Sequence, residues 1–493
     1  MDHILITGEE LTIKKLVDFA LFNKKIKIEE KVYEKIKTSR EKLEKKIKKG
    51  EKLYGITTEV GALLNLARET NSSAELNLVK SHAIALGDFT SKEVAKATLL
   101  VLINQLSSGF SSISLETFNR LIEIANKNIY PLIHKSGSLG ASGDLIPLSD
   151  LALIITGEGL IEFEGKIVKS KEILGEYELK LGDAISLINS TAYSTASLAL
   201  SIYNFKSILD LSCFITSLIM EALKSNSSPF KIETLSVKKH TEQIIVGNYI
   251  LKILEGSKLI DSDKTNVQDP YSIRCVPQIF SAVKSNIDYC EYIVMREMNS
   301  FSGNPVIYKD EIYYGGNFHA QLLANAADLL KISASNMAFL SERKINRLLN
   351  PNLNKNLPPF LATKGIGLMI CQYLTAYYVN KIRVLATPSS IVSLSTSADQ
   401  EDFVSMSGNA VNDLEKCIDA LRIICSIETL CAYEAVKFRG PELLGKGTKL
   451  YYNLIDEKIK ELNNINEKIE NIYKNFNYFI EELRKEFGSL FTE

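Results

Sequence analysis

Three stretches of the chain, 182–223, 318–348 and 362–386, are rich in apolar residues and poor in Gly and Pro over lengths no ordinary strand reaches. Strands in globular proteins seldom run beyond about 10 residues, so these stretches can satisfy their backbone hydrogen bonds only as helices. Helices that long and that apolar must then bury their faces against one another. A heptad pattern follows near the C-terminus. Ile455, Leu462, Ile469 and Phe476 lie seven apart, with Ile459, Asn466, Tyr473 and Ile480 as a second row, which predicts a packed bundle helix. The expectation is a mainly α chain: an N-terminal region over 1–190, a central long-helix bundle over 191–440 and a helical segment over 441–493.

Smaller elements fill the N-terminal region. A strand-like start precedes a brief helix around Leu11 to Phe22, and the stripe Val32, Ile36, Leu43, Ile47 predicts a helix ending near Gly50. Residues 75–132 read as several packed helices. Hairpins are expected at 161–168, turning at Glu164-Gly165, and at 305–314, turning at Lys309-Asp310. The formal net charge of −1 gives no reason to expect nucleic acid or an acidic membrane surface as partner. No apolar run reads as a membrane span, and the opening MDHILITGEEL lacks the basic region of a signal peptide. Seven cysteines without a C-x-x-C pair argue against disulfides and structural zinc, and five histidines without H-E-x-x-H predict no metal centre. The expected compartment is the cytoplasm.

The chemistry concentrates at 137–150, GSLGASGDLIPLSD. If a tight bend brings the Gly143 nitrogen onto the Ala141 carbonyl carbon, a five-membered ring closes, and loss of two waters leaves Ser142 as an exocyclic methylidene, an electrophile. Gly143 has no Cβ to block closure, Ser142 supplies the departing hydroxyl, and Ala141 does not shield its carbonyl. Alone, the tripeptide reads as a flexible loop. Its frame, with Gly137 and Gly140 before it and Asp144 and Pro147 after it, reads as a loop entering a capped helix.

This frame resembles the signature of the aromatic amino acid ammonia-lyase family, in which Ala-Ser-Gly becomes a 4-methylidene-imidazol-5-one (MIO) prosthetic group. The resemblance extends through further motifs in family order. Tyr54 in LYGITTEVG matches the loop tyrosine assigned there as base; its phenol, with an ordinary pKa of about 10, would need stabilisation as phenolate. The sequence departs from the family here, with Thr57-Thr58-Glu59-Val60 before Gly61. Ser81-His82 is similar to the pair of the histidine-specific members. Asn189 in LINST matches the asparagine of an Asn-Gly-Thr motif, with Ser190 in place of glycine. VQDPYSIRCVPQ supplies Gln268, Tyr271 and Arg274; a guanidinium grips a carboxylate bidentately, the role the family suggests for Arg274. GGNFHA supplies Asn317 as support of the prosthetic group and Phe318 as pocket lining. SADQEDFVSM supplies Gln400 as support and Glu401, whose carboxylate can bond an imidazole N–H; Phe403 stands where bacterial histidine-specific members usually have histidine.

The resemblance implies the family's ammonia-lyase/fumarase-like helical bundle, with the smaller N-terminal region carrying the MIO loop. It also implies a homotetramer with active sites shared between chains, and a small amino acid as the partner. Through His82 and Glu401 it implies elimination of ammonia from L-histidine to give trans-urocanate. Two alternatives stay open: a tyrosine or phenylalanine lyase or aminomutase of the same family, and a helical scaffold without activity.

Overall fold

The computed structural model describes residues 3–127 and 129–491, which fall into two compact units. The first comprises Met1–Ser201, Cys290–Asp328 and Pro388–Asn412; the second comprises Ile202–Tyr289, Leu329–Thr387 and Asp413–Glu493.

The first unit opens on a parallel strand pair, Ile4–Ile6 with Ile26–Ile28, connected through the helix Ile13–Ala20. The Thr12 side chain caps that helix by accepting the Lys15 N–H. The helix Glu30–Lys48 buries Val32, Ile36 and Leu43, and the chain leaves it through Gly50 at φ +75, as the stripe predicts. Both hairpins form where expected. Leu160–Phe163 pairs with Lys166–Lys169 across Glu164 and Gly165, both at positive φ as a two-residue hairpin turn requires. Tyr130–Pro131 joins as a third strand that the sequence does not announce. Val306–Tyr308 pairs with Glu311–Tyr313.

The stretch 182–223 is two helices, Asp183–Ile188 and Ala192–Ala222, interrupted at 189–191. The interruption is built from polar side chains that replace helical hydrogen bonds. Ser190 Oγ accepts from Ala192 N–H at 3.1 Å and Ser302 Oγ from Thr191 N–H at 3.1 Å. Against expectation, Asp183–Ala222 is long and apolar enough to cross a membrane by length and composition. However, 83% of its most apolar window is buried within the protein, which makes it a core helix.

In the second unit, Lys344 and Glu428 meet fully buried at 2.9 Å, and Lys344 Nζ donates to Thr216 Oγ1 at 2.8 Å. These bonds join the helices Ala192–Ala222, Gln321–Leu349 and Ser407–Lys437. The last of these and Val276–Met298 are long helices that the apolar-run criterion missed, because charged residues interrupt their buried stripes. The C-terminal heptad rows pick out residues that are buried, namely Ile455, Ile459, Ile469, Phe476 and Ile480. The continuous helix they suggest is instead three: Lys446–Ile459, Ile465–Lys474 and Phe476–Phe487. Asn464 stops the run by capping the second, accepting the N–H groups of Asn466 and Glu467.

Candidate active site

The loop before the helix Leu145–Thr156 is held from several sides within the first unit. Gly140 O accepts from Ser405 Oγ at 2.8 Å and from Ala320 N–H at 3.1 Å, while Leu139 O accepts from Met406 N–H at 2.8 Å. Asp144 occupies the helix N-cap position, yet its side chain makes no cap bond. Its fully buried carboxyl turns back to accept from Ser138 Oγ at 2.6 Å, Ser194 N–H at 2.8 Å and Ser194 Oγ at 2.7 Å. Burial pushes that carboxyl above the usual range and these donors oppose the shift. The expected capping role is therefore replaced by a tie from the loop to the long helix Ala192–Ala222.

Gly143 sits at φ +74, and a Cβ there would stand 2.4 Å from Ser190 O, so both the conformation and the space require glycine. Asn189 Nδ2 donates to Ser142 O at 2.9 Å, while its Oδ1 is buried without a hydrogen-bond partner. Ser142 Oγ donates to Glu401 Oε1 at 2.8 Å. The segment carrying Glu401 is strained: Ser397, Ala398 and Asp399 all have positive φ, at about 1 kcal/mol or more apiece. The bridge between Thr396 and Glu401 and the bond from Thr396 Oγ1 to Glu401 Oε2 at 3.1 Å hold it.

Tyr54 is placed by its neighbours. Leu53 and Ile56 are buried with Leu43, Ile185 and Ile307 in one apolar cluster, which fixes the loop on both sides of the tyrosine. Gly61 N–H donates to the Tyr54 hydroxyl at 3.0 Å, and Ala62 N–H to Ser397 Oγ at 3.0 Å, joining this loop to the Glu401 segment. Burial raises the Tyr54 phenol, the Gly61 N–H lowers it and Glu401 raises it further, with a net upward shift. Glu59 is not among the charges acting on it and lines neither cavity described below. A phenol above about 10 is ionised in fewer than about one molecule in a thousand at neutral pH. Were Tyr54 the base, as the resemblance implies, turnover would climb steeply with pH between about 7 and 9, read from the pH profile of kcat; a flat profile would show that another group takes the proton.

Tyr54, Ser142 and Glu401 border two adjoining spaces. The larger, about 760 Å³, also takes in Ala141, Phe318 and Gln400; the smaller, about 110 Å³, takes in His82 and Asn189. His82 Nδ1 lies 2.8 Å from Leu78 O. A carbonyl only accepts, so Nδ1 carries the proton and, in the neutral ring, Nε2 is the acceptor. Asn317 is exposed and lines neither space.

Gln268, Tyr271 and Arg274 belong to the second unit and border neither space. Gln268 and Arg274 line a separate cavity of about 360 Å³. The Arg274 guanidinium lies 4.6 Å from the centre of the Tyr271 ring, its Nε buried and unpartnered, and Tyr271 is 70% exposed. His319, which the sequence motifs did not single out, and Phe403, noted there only as standing in place of a histidine, line the larger cavity with their rings 6.0 Å apart; His319 Nε2 donates to Phe403 O at 3.2 Å. Their adjacency to Phe318 and to Glu401-Asp402 was the available signal.

The model of the aromatic amino acid lyase family matches residues 11–457. The chain is 38% identical over 475 residues to a histidine ammonia-lyase of Caldanaerobacter subterraneus subsp. tengcongensis, covering 94% of this chain and 93% of that protein. Among solved structures it is similar to a tyrosine aminomutase from Streptomyces globisporus, with a TM-score of 0.93, 26% identity and 98% of each chain covered. It is also similar to a histidine ammonia-lyase from Trypanosoma cruzi, with a TM-score of 0.89 and 28% identity over 99% of this chain and 95% of that one.

Proposed function

This chain belongs to the aromatic amino acid lyase family and is an ammonia-lyase, and we propose that its substrate is L-histidine, converted to trans-urocanate and ammonia. The observation that carries this reading is that His82 and Glu401, the two residues suited to an imidazole, border the same small space as Ser142 and Tyr54.

The residues present fit an MIO group made from Ala141, Ser142 and Gly143. Gly143 lies where only glycine is accommodated, and Asn189 bonds the Ser142 carbonyl while keeping one buried acceptor unused. Asn189 would hold the group, with Gln400 in the wall of the larger cavity as a further support; Asn317, exposed and outside both spaces, has no contact among the described residues that supports the role the resemblance implies. Such a group supplies an electrophilic carbon, the chemistry by which an amino group becomes a better leaving group; attack by the amine or by the imidazole ring are both compatible with these residues. Tyr54 takes the proton from the substrate's β-carbon. Glu401 accepts the imidazole N–H, His82 offers Nε2 to the same ring, and Phe318 packs the larger cavity.

The carboxylate clamp is Arg274, assisted by Gln268 and Tyr271, contributed from another copy in a homotetramer with shared sites. Its support is the exposed Tyr271, the unpartnered Arg274 Nε and a helix Cys371–Leu385 that leaves Tyr373, Leu374, Tyr377 and Val384 exposed. The seven unpaired cysteines support a reducing compartment, the cytoplasm.

Phe403 in the cavity wall favours a second reading, a lyase or aminomutase for tyrosine or phenylalanine, because it offers the ring an apolar surface. Glu401→Gln separates the two. Loss of a charged acceptor to the imidazole is expected to lower kcat/KM for histidine by about 10- to 100-fold, leaving any slow turnover of phenylalanine nearly unchanged. An equal fall with every amino acid would contradict the imidazole contact.

A further inference from the structure

Tyr54, His82 and Asn189 stand on three different elements, and a single buried ion pair touches all three. Arg68 Nη1 donates to Gly55 O at 2.7 Å, one residue after Tyr54, and Nη2 donates to Ala74 O at 2.7 Å in the helix Ser72–His82, which ends on His82. The same Nη1 lies 3.1 Å from Glu75 Oε1, with the side chains 3% and 0% exposed. Glu75 Oε2 then accepts the Ala184 N–H at 2.8 Å, in the first turn of the helix Asp183–Ile188, which runs directly into Asn189. The main chain joins in, since Arg68 N–H donates to Thr57 O at 3.1 Å.

We propose that Arg68 and Glu75 are positioning residues for the reaction, a brace that holds the Tyr54 loop, the His82 helix and the Asn189 helix in one register. The inference rests on the reading of those three residues as the site. Only a planar fork can serve Gly55 O and Ala74 O together while facing a carboxylate. A buried ion pair is a poor device for stability alone, because an apolar pair of similar size often does as well. What this pair supplies is a fixed distance between three elements that an apolar contact would leave free to slide. Arg68 and Glu75 make no bond of their own to the Ser142 loop and reach it only through Asn189, whose Nδ2 donates to the Ser142 carbonyl, so the brace chiefly sets the alignment of base and substrate ring.

The test is Arg68→Lys, which keeps the charge and removes the fork, made both in the natural chain and in Tyr54→Phe. In the natural chain kcat is expected to fall about tenfold or more with KM within about twofold, since a small misplacement of a base is felt in turnover. In Tyr54→Phe the same change is expected to cost clearly less, because the part of the brace that acts through the tyrosine is already lost and only the parts at His82 and Asn189 remain. Intact mass is expected to show the same loss of water in both proteins, and Glu75→Gln to behave as Arg68→Lys does.

Equal falls in both backgrounds, or a lowered Tm with unchanged kcat per folded protein, would overturn the proposal. Amide hydrogen exchange over residues 53–58 reads the brace without turnover: it is expected to quicken in Arg68→Lys, and unchanged exchange overturns the proposal whatever the substrate proves to be. Absence of urocanate from the natural chain, with quickened exchange in the variant, would count against histidine and leave the brace standing.

Discussion

Ser142→Ala is expected to retain the fold and to lose the reaction. The natural chain should weigh less than its encoded sequence by two waters, and the variant should not show that loss, because alanine has no hydroxyl to leave. Turnover is expected to drop by about 10³-fold or more, corresponding to about 4 kcal/mol of barrier. The loop itself should be little disturbed. Before ring formation the substitution removes only the hydrogen bond from Ser142 Oγ to Glu401, a change of about 1 kcal/mol in a partly exposed setting, and the matured chain has already given up that hydroxyl. The substitution leaves intact the bonds on the Gly140 and Ser142 carbonyls and on Asp144. A variant with unchanged Tm and natural turnover would remove Ser142 from the mechanism altogether.

Tyr54→Phe carries the second large effect. The ring is half-buried between two anchored neighbours, so phenylalanine should fill the same space and keep the loop. What disappears is the hydroxyl that receives the Gly61 N–H at 3.0 Å and, in the proposed mechanism, the proton from the substrate. General bases contribute about 10²- to 10⁴-fold, and the loss is expected in kcat, with KM nearly unaltered. The steep pH dependence set by the raised phenol should flatten in the same variant, since the titrating group is gone. Natural turnover in Tyr54→Phe would mean that the base lies elsewhere in the cavity.

Much of this site was legible because its chemistry is local. Ala141-Ser142-Gly143 carries its reactivity in three adjacent residues, and the structure sets Ser142 beside Tyr54, His82, Asn189 and Glu401, each taken from a separate short string. Gly143 was legible as the residue without a Cβ to block ring closure; that a Cβ there would also meet Ser190 O, only the fold reveals. Arg68 and Glu75 were not legible, because their meaning lies in acceptors on Gly55, Ala74 and Ala184 that only the folded chain brings to them. Asp144 was legible in position and misread in role: its distance from Ser194, fifty residues on, has no local trace.

The fold divided in the same way. Periodicity identified buried faces, as with Val32, Ile36 and Leu43, and the Glu164-Gly165 turn followed from residues that tolerate positive φ. Interruptions at 189–191 and 460–464 escaped, because they depend on side chains that take over backbone hydrogen bonds. The helix Ser407–Lys437 escaped too, since its charged residues hide a buried stripe in any simple search for apolar runs.

Ultraviolet absorbance, followed as purified protein meets L-histidine with L-tyrosine and L-phenylalanine in parallel and Ser142→Ala as the control, decides both substrate and mechanism. Urocanate is expected to grow with histidine, with little or no product from the other two and none of it in the variant. Product from tyrosine or phenylalanine with silence on histidine would contradict the roles given to His82 and Glu401, and urocanate formed at the natural rate by Ser142→Ala would contradict the mechanism itself.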